Sequence, residues 1–264
     1  MKDVQAAPSR RYVEHVMGMP ITLAMRGWHA ADDDGRGAWV AVLQELTEVD
    51  RVFSTYRPDS YISRLSRGEL TEADCPPEVA EVLRLGQRSE ERSLGAFRVW
   101  RTGKDGVMRL DTDGIVKGWA VQRASAILRR LPATDFCLSA GGDMVCHTAS
   151  ATGQAWRVGI EDPLDPTRLK ATVSIHRGAV ATSSFAQRGA HIVDARSGRA
   201  PTAVASVTVV SDLLTWADID ATSAFAMGPG AAEWLAEQPG RTGLIVWNDG
   251  TTANVGPQGA IAAV

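Results

Sequence analysis

The sequence predicts an α+β fold with mixed, largely antiparallel sheets flanked by helices. In its second half, short β-prone runs are separated by Gly, Pro and Asp turns, at residues 136–138, 156–160, 171–175, 180–182, 205–210 and 244–247. Only two helical patterns interrupt these runs, at residues 216–227 and 231–237, so strands and helices do not alternate as in a regular βαβ winding. We predict a single unit over residues 1–264, built as one domain or as two closely packed α+β halves.

The first half of the chain supplies longer helical patterns. Residues 12–25 predict a strand, and the polar residues 32–35 introduce a helix. Apolar side chains recur in that helix every three or four positions, which is typical of a helix packed on a core: Trp39, Val42, Leu43, Leu46 and Val49. Two prolines introduce an amphipathic helix at residues 77–91. Residues 107–111 then predict a short strand and residues 117–131 a further helix.

Composition narrows the classes of partner. Lysine and arginine total 28 and aspartate and glutamate total 31, so the net charge is −3, and no nucleic-acid partner is expected. No uninterrupted apolar stretch approaches 18 residues, and the start lacks a signal-peptide pattern, so no membrane partner is expected. The three cysteines cannot all pair within one chain, which favours a reducing compartment and a cytoplasmic protein.

Two glycine-containing turns combine residue types that suit a phosphate ligand. Residues 111–118 place an aspartate, two glycines and a lysine before a helix, and residues 139–143 end a strand in Ala-Gly-Gly-Asp. Glycine lets backbone approach a ligand closely, and a helix N-terminus favours phosphate. Each segment alone is also typical of an ordinary turn.

Asp218 and Thr222 lie four residues apart, which puts both on one face of a helix and leaves Asp220 on the opposite side. Two side-chain oxygens on one face suit Mg²⁺, which prefers oxygen ligands and completes its shell with phosphate and water. The alternative is structural: an aspartate interacting with the helix dipole and a threonine bonded to its own helix.

A third combination is the hydroxyl of Ser183 with His191 and Asp194, the residue types of a nucleophilic hydrolase. The chain lacks the G-x-S-x-G turn that places such a serine. A histidine in an alternating strand is also more often structural than catalytic. A serine-hydrolase function therefore ranks last.

Taken together, these segments resemble the ApbE-type flavin transferases, also called FAD:protein FMN transferases, in order and spacing over nearly the whole chain. Residues 53–65 resemble the family segment STYRPDSEISRLN, and residues 111–121 resemble DLGGIAKGYAVD. The shorter matches are residues 139–143 with NAGGD, 180–183 with VATSG, 191–194 with HIIDPRTG and 217–222 with ADALAT.

The resemblance implies an ApbE-like fold and a Mg²⁺-dependent enzyme. Such an enzyme cleaves FAD, attaches FMN through a phosphoester bond to a threonine of a target flavoprotein and releases AMP. The resemblance also implies that Asp218 and Thr222 hold Mg²⁺ with the backbone carbonyl of Gly114, and that His191 is the catalytic base. The implied FAD contacts are Met17, Tyr56, Ala96, Phe97, Asp111 and Lys117.

Two other functions use the same site. In an FAD diphosphatase, water replaces threonine as the acceptor and the products are FMN and AMP. In a non-catalytic FAD-binding protein nothing is turned over, and the stretch between Phe97 and Asp111, which is shorter than in the family, favours this alternative. The sequence identifies neither the target protein nor the oligomeric state.

Overall fold

An antiparallel sheet of eight strands is the largest element of the computed structural model, which describes residues 8–103, 105–185, 192–257 and 261–263. The strands in chain order are β1 (Ser9–Val16), β2 (Met19–Gly27), β3 (Trp100–Thr102), β4 (Met108–Leu110), β5 (Thr134–Ala140), β6 (Asp143–His147), β7 (Trp156–Asp162), β8 (Asp165–Ile175), β9 (Arg177–Ser184), β10 (Val204–Ser211), β11 (Thr242–Trp247), β12 (Thr252–Val255) and β13 (Ile261–Ala263). The large sheet has the order β1-β2-β5-β6-β9-β10-β11-β12, beside a three-stranded sheet β13-β8-β7 and a hairpin β3-β4. This arrangement confirms the predicted α+β class.

Three of the six helices named below begin where the sequence supplies a side-chain cap or a proline. The helices are α1 (Asp33–Phe53), α2 (Tyr61–Ser66), α3 (Pro77–Arg92), α4 (Asp113–Leu128), α5 (Leu214–Met227) and α6 (Ala231–Ala236). Asp32 caps α1 by accepting a hydrogen bond from the Gly35 N–H at 3.0 Å. Pro77 is the first residue of α3, where its missing N–H costs no helical hydrogen bond.

The two faces of the eight-stranded sheet are covered differently. Helices cover one face and form the larger core, which includes Leu23, Leu138, Val145 and Phe225. The three-stranded sheet covers the other face and forms a smaller core of short aliphatic side chains. Because side chains alternate along a strand, neighbouring residues of β5 and β6 belong to different cores. That a single catalytic unit spans residues 1–264 stays a prediction.

Helix α5 lies in the larger core and is buried on nearly every side, including the side chains of Asp218 and Asp220. Its first N–H, of Leu214, donates to Gln122 Oε1 of α4 at 2.8 Å. A helix without a polar solvent face depends on its neighbours, so its two aspartates need partners from other elements. Among the described helices, none is both long and apolar enough to cross a membrane.

Two sequence-based boundaries were wrong. Residues 12–25, predicted as one strand, form the hairpin β1–β2, because Met17 and Gly18 both take positive φ, 57° and 70°, as a two-residue hairpin turn requires. The helix predicted at residues 117–131 begins at Asp113, because Asp111 Oδ1 accepts a hydrogen bond from the Asp113 N–H at 3.1 Å and supports an earlier start. Gly114 therefore lies in the first turn of α4. The helices predicted at residues 77–91, 216–227 and 231–237 are confirmed within a few residues.

Candidate active site

The turn between β5 and β6 brings Asp143 to one end of the large sheet. Gly141 and Gly142 form this turn with φ of 55° and 94°, values that side chains other than glycine rarely adopt in succession. Asp143 follows as the first residue of β6 and is fully buried. Its Oδ1 accepts a hydrogen bond from the Thr182 N–H of β9 at 2.9 Å, which fixes the carboxylate.

Helices α4 and α5 approach each other closely at Gly118. A Cβ at this position would lie 2.7 Å from the Asp218 Cβ and 2.9 Å from the Leu214 carbonyl oxygen, so any larger residue would push the helices apart. The Gly118 N–H donates to Asp218 Oδ2 at 2.9 Å. In a regular α-helix this N–H would donate to the carbonyl of Gly114. Asp218 therefore competes with the Gly114 carbonyl for the same N–H donor.

Lys117 connects the two buried carboxylates. Its Nζ lies 2.5 Å from Asp143 Oδ2 and 3.5 Å from Asp218 Oδ1. With both carboxylates ionised, these three groups carry one net negative charge in a place from which water is largely excluded. Such a charge is costly to bury unless a further cation approaches.

The titration of Asp218 depends on its burial and on these neighbouring charges. Burial raises the pKa of the Asp218 carboxyl to about 7, and the nearby carboxylate of Asp143 acts in the same direction. The ammonium of Lys117 and the Gly118 N–H favour the charged form and oppose the rise in this pKa. The carboxyl is therefore poised to change its charge near neutral pH.

Thr222 lies one helical turn after Asp218, and its Oγ1 is 3.1 Å from Ser183 Oγ of β9. Gly114 approaches from the side of α4, since a Cβ on it would lie 3.5 Å from Thr222 Cγ2 and 2.7 Å from Phe97 Cε2. The backbone of Gly114 can therefore approach Phe97 and Thr222 this closely only because glycine has no side chain. Gly114 of α4 thus lies beside Asp218 and Thr222 of α5, although about a hundred residues separate it from them in sequence.

The loop before α4 and the first residue of α4 are held by polar contacts with β3 and with the segment that follows α1. Asp111 forms an ion pair with Arg101 of β3, and the Thr55 hydroxyl donates to Asp113 Oδ1 at 3.2 Å. Tyr56 follows Thr55 with 87% of its surface exposed. An exposed aromatic ring beside this loop can stack on a flat ligand.

The remaining predicted FAD contacts lie around the same end of the molecule. Met17 is in the β1–β2 turn. This turn is adjacent to the Gly141 turn, because the Gly141 N–H donates to the carbonyl of Pro20, near the start of β2, at 3.4 Å. Ala96 and Phe97 are buried, and the Ala96 carbonyl accepts a hydrogen bond from the Ala195 N–H at 2.9 Å. The predicted base, His191, lies outside the described residues.

A comparison with known protein families shows to which family the chain belongs. The sequence profile described as "ApbE family" matches residues 17–100 and 98–246. The chain belongs to the ApbE family. The similarity stated from its motifs is thereby confirmed. In the described part of the chain, residues of the motifs at 111–121, 139–143, 180–183 and 217–222 contact one another.

Relatives of this ApbE chain carry the name FAD:protein FMN transferase. The protein from Klebsiella pneumoniae (strain 342) is 24% identical over 151 residues, which are 53% of this chain but only 43% of that relative. The protein from Vibrio cholerae serotype O1 is 26% identical over 246 residues, covering 73% of this chain and 74% of the relative. The chain thus spans less than half of the Klebsiella protein's length.

Solved structures agree on the fold. The flavin transferase ApbE from Vibrio cholerae superposes with a TM-score of 0.80 at 20% identity, covering 94% of this chain and 97% of that one. The ApbE protein from Thermotoga maritima gives a TM-score of 0.78 at 19% identity with the same coverage. The predicted ApbE-like fold is confirmed.

Sequence reasoning placed Asp143 and Ser183 in family motifs but gave Asp143 no role of its own, and it weighed Ser183 individually only as a hydrolase nucleophile. Both lie against the predicted metal ligands, Asp143 through Lys117 and Ser183 through Thr222. The signal for Asp143 was present in the Ala-Gly-Gly-Asp turn, since a two-residue glycine turn places the next residue at a sheet end. The carboxylate of Asp194, the third hydrolase candidate, forms an ion pair with Arg196 at 2.9 Å.

Proposed function

We propose that this chain is a Mg²⁺-dependent FAD:protein FMN transferase that attaches FMN through a phosphoester bond to a threonine of a target flavoprotein and releases AMP. The observation that carries the proposal is the buried group of two carboxylates sharing one ammonium, with Thr222 and Gly114 beside it. Membership of the ApbE family and the names of the relatives support the same activity. The cytoplasmic location stays a prediction from the sequence.

The residues present fit a Mg²⁺ ion. Asp218 supplies a carboxylate, Thr222 a hydroxyl and Gly114 a backbone carbonyl, and Mg²⁺ prefers oxygen ligands of these kinds. Within the described residues, Lys117 and its two carboxylates carry one net negative charge when both are ionised, and this charge favours the entry of a cation. When bound, Mg²⁺ supplies positive charge that stabilises the charge developing on the FAD diphosphate.

The chain's own residues then position the reactants. Lys117 holds Asp143 and Asp218 in place, because its ammonium contacts both carboxylates. Phe97 limits the space beside Gly114, and the exposed ring of Tyr56 offers a stacking surface for a flat part of FAD. We assign His191 as the base that accepts the proton of the target threonine, on the family resemblance.

The test combines the protein with FAD, MgCl₂ and a purified flavoprotein domain that carries the acceptor threonine. In-gel flavin fluorescence of the target and AMP release are measured together. We expect both in the wild type and a decrease of at least about 100-fold in Asp218→Asn, because one metal ligand and the local negative charge are lost. Asp212→Asn changes an exposed aspartate just before α5 and should keep wild-type activity.

The outcomes separate the candidate functions. FMN and AMP formed at the same rate with or without the target, and no labelled target, would indicate the diphosphatase. Tight FAD binding without AMP release at saturating Mg²⁺ would indicate a binding protein. The metal is tested separately at pH 8, where MgCl₂ should raise the Tm of the wild type but not that of Asp218→Asn.

A further inference from the structure

Two of the three cysteines face each other across a hairpin, away from the candidate active site. Cys137 of β5 and Cys146 of β6 are direct partners in the strand register, and their sulfur atoms are 3.6 Å apart. Both belong to the smaller core, between the large sheet and the three-stranded sheet. Asp143, by contrast, contacts Lys117 in the larger core, on the opposite face.

The hairpin geometry suits a covalent link between these sulfurs. The two-residue turn makes Ala140 and Asp143 a hydrogen-bonded pair, and pairs alternate along the ladder. Cys137 and Cys146, three positions further on, therefore form a non-hydrogen-bonded pair, in which Cα atoms are about 4.5 Å apart. Disulfides form at Cα separations of about 4.4 to 6.8 Å, so no backbone movement is needed.

The two thiols differ in reactivity. A hydrogen bond from the Cys146 thiol lowers the pKa of Cys137, and the positive charge of Arg26 acts in the same direction. The same contact, together with burial, raises the pKa of the Cys146 thiol. Cys137 is partly exposed, whereas Cys146 is fully buried. A thiolate is the reactive form, so Cys137 is the thiol that meets an oxidant first.

We propose that Cys137 and Cys146 form a reversible dithiol–disulfide site whose oxidant is a peroxide. The Cys137 thiolate attacks one peroxide oxygen, the O–O bond breaks, and the leaving oxygen takes a proton and departs as water or an alcohol. Cys137 is then a sulfenic acid. The Cys146 sulfur attacks the Cys137 sulfur, the S–O bond breaks, and the hydroxyl leaves with the Cys146 proton as water. Two thiols are oxidised and one peroxide is reduced.

One tryptic peptide tests this site. Cleavage after Arg130 and Arg157 releases residues 131–157, which contain both Cys137 and Cys146, while Cys75 lies on another peptide. The wild-type protein is treated with hydrogen peroxide, alkylated with N-ethylmaleimide, digested and analysed by mass spectrometry. We expect residues 131–157 to lose two hydrogens and to carry no alkyl group, and dithiothreitol to restore two alkylated cysteines.

Variants test the direction of attack. In Cys146→Ala, dimedone should trap a sulfenic acid on Cys137, because the second thiol is missing. In Cys137→Ala, Cys146 should stay unlabelled, and Cys75→Ala should form the disulfide as the wild type does. Two alkylated cysteines in residues 131–157 after a peroxide dose that oxidises free cysteine would overturn the proposal, and the wild-type result stands even if a variant fails to fold. The proposal depends on neither Mg²⁺ nor FAD.

Discussion

Asp218 and Asp220 are two residues apart on α5 and both are buried, yet their surroundings balance charge in opposite ways. Asp220 faces two guanidinium groups: Arg92 Nη1 lies 3.1 Å from its Oδ1 and Arg241 Nε 2.6 Å from its Oδ2. Asp218 instead shares the ammonium of Lys117 with Asp143. Counting only these described groups, one side of the helix has an excess of positive charge and the other, with both carboxylates ionised, an excess of negative charge.

This difference separates a structural role from a ligand-binding one. The ion pairs of Asp220 link α5 to α3 through Arg92 and to the start of β11 through Arg241. Arg92 also stacks on Trp216, with its guanidinium carbon 4.6 Å from the ring centroid. Nothing further is needed there to compensate the carboxylate. Among the described residues, the Asp218 side has one ammonium for two carboxylates, and such a shortage of positive charge favours the binding of a cation.

The largest expected effect is the pH dependence of stability due to Asp218, measured in EDTA. The folded-state pKa of Asp218 is raised to about 7. The protonated carboxyl therefore contributes stability that is fully present below pH about 4 and lost as the pH rises through about 7. Wild-type stability relative to Asp218→Asn should fall over this range by on the order of 4 kcal/mol, since one pKa unit corresponds to about 1.4 kcal/mol.

Urea unfolding of both proteins at several pH values measures this difference. A stability difference that does not change between pH 4 and pH 8 would mean that Asp218 is ionised throughout. The excess negative charge on this side of α5 would then be compensated in another way.

Asp220→Asn should lower the free energy of unfolding by about 3 kcal/mol at pH 8, because two partly buried guanidiniums lose their shared carboxylate. Asp218→Asn should stay within about 1 kcal/mol of the wild type or be more stable, since it removes a poorly compensated charge. Urea denaturation in EDTA measures both variants, with the exposed Asp212→Asn as control. Equal losses in the two variants would contradict the division between a structural and a ligand-binding side.

Thr222→Val should have the smallest effect. It removes the hydrogen bond to Ser183 while keeping a similar shape, so the free energy of unfolding should fall by only about 1 kcal/mol. The rise in Tm on adding MgCl₂ should nevertheless become smaller, because a proposed ligand is lost. If MgCl₂ raises the Tm of this variant as much as that of the wild type, Thr222 is not a metal ligand and its role is structural.

Local periodicity made much of the molecule predictable. The recurrence of apolar residues in α1 and the proline start of α3 depend only on neighbours in sequence, and both helices are present. The four-residue spacing of Asp218 and Thr222 is enough to place them on one face of α5, with Asp220 on the other. Boundaries failed where a turn was unusual, as at Met17, a residue other than glycine that takes positive φ.

The sequence by itself thus determined the helices, the strand-rich second half and the family motifs, because these depend on local spacing. Tertiary structure alone decided which charges meet: Lys117 with Asp143 and Asp218, and Asp220 with its two arginines. It also decided that Cys137 and Cys146 lie opposite each other. These pairings depend on strand register and on the close packing of α4 against α5, and such long-range contacts leave no periodic signal in the chain.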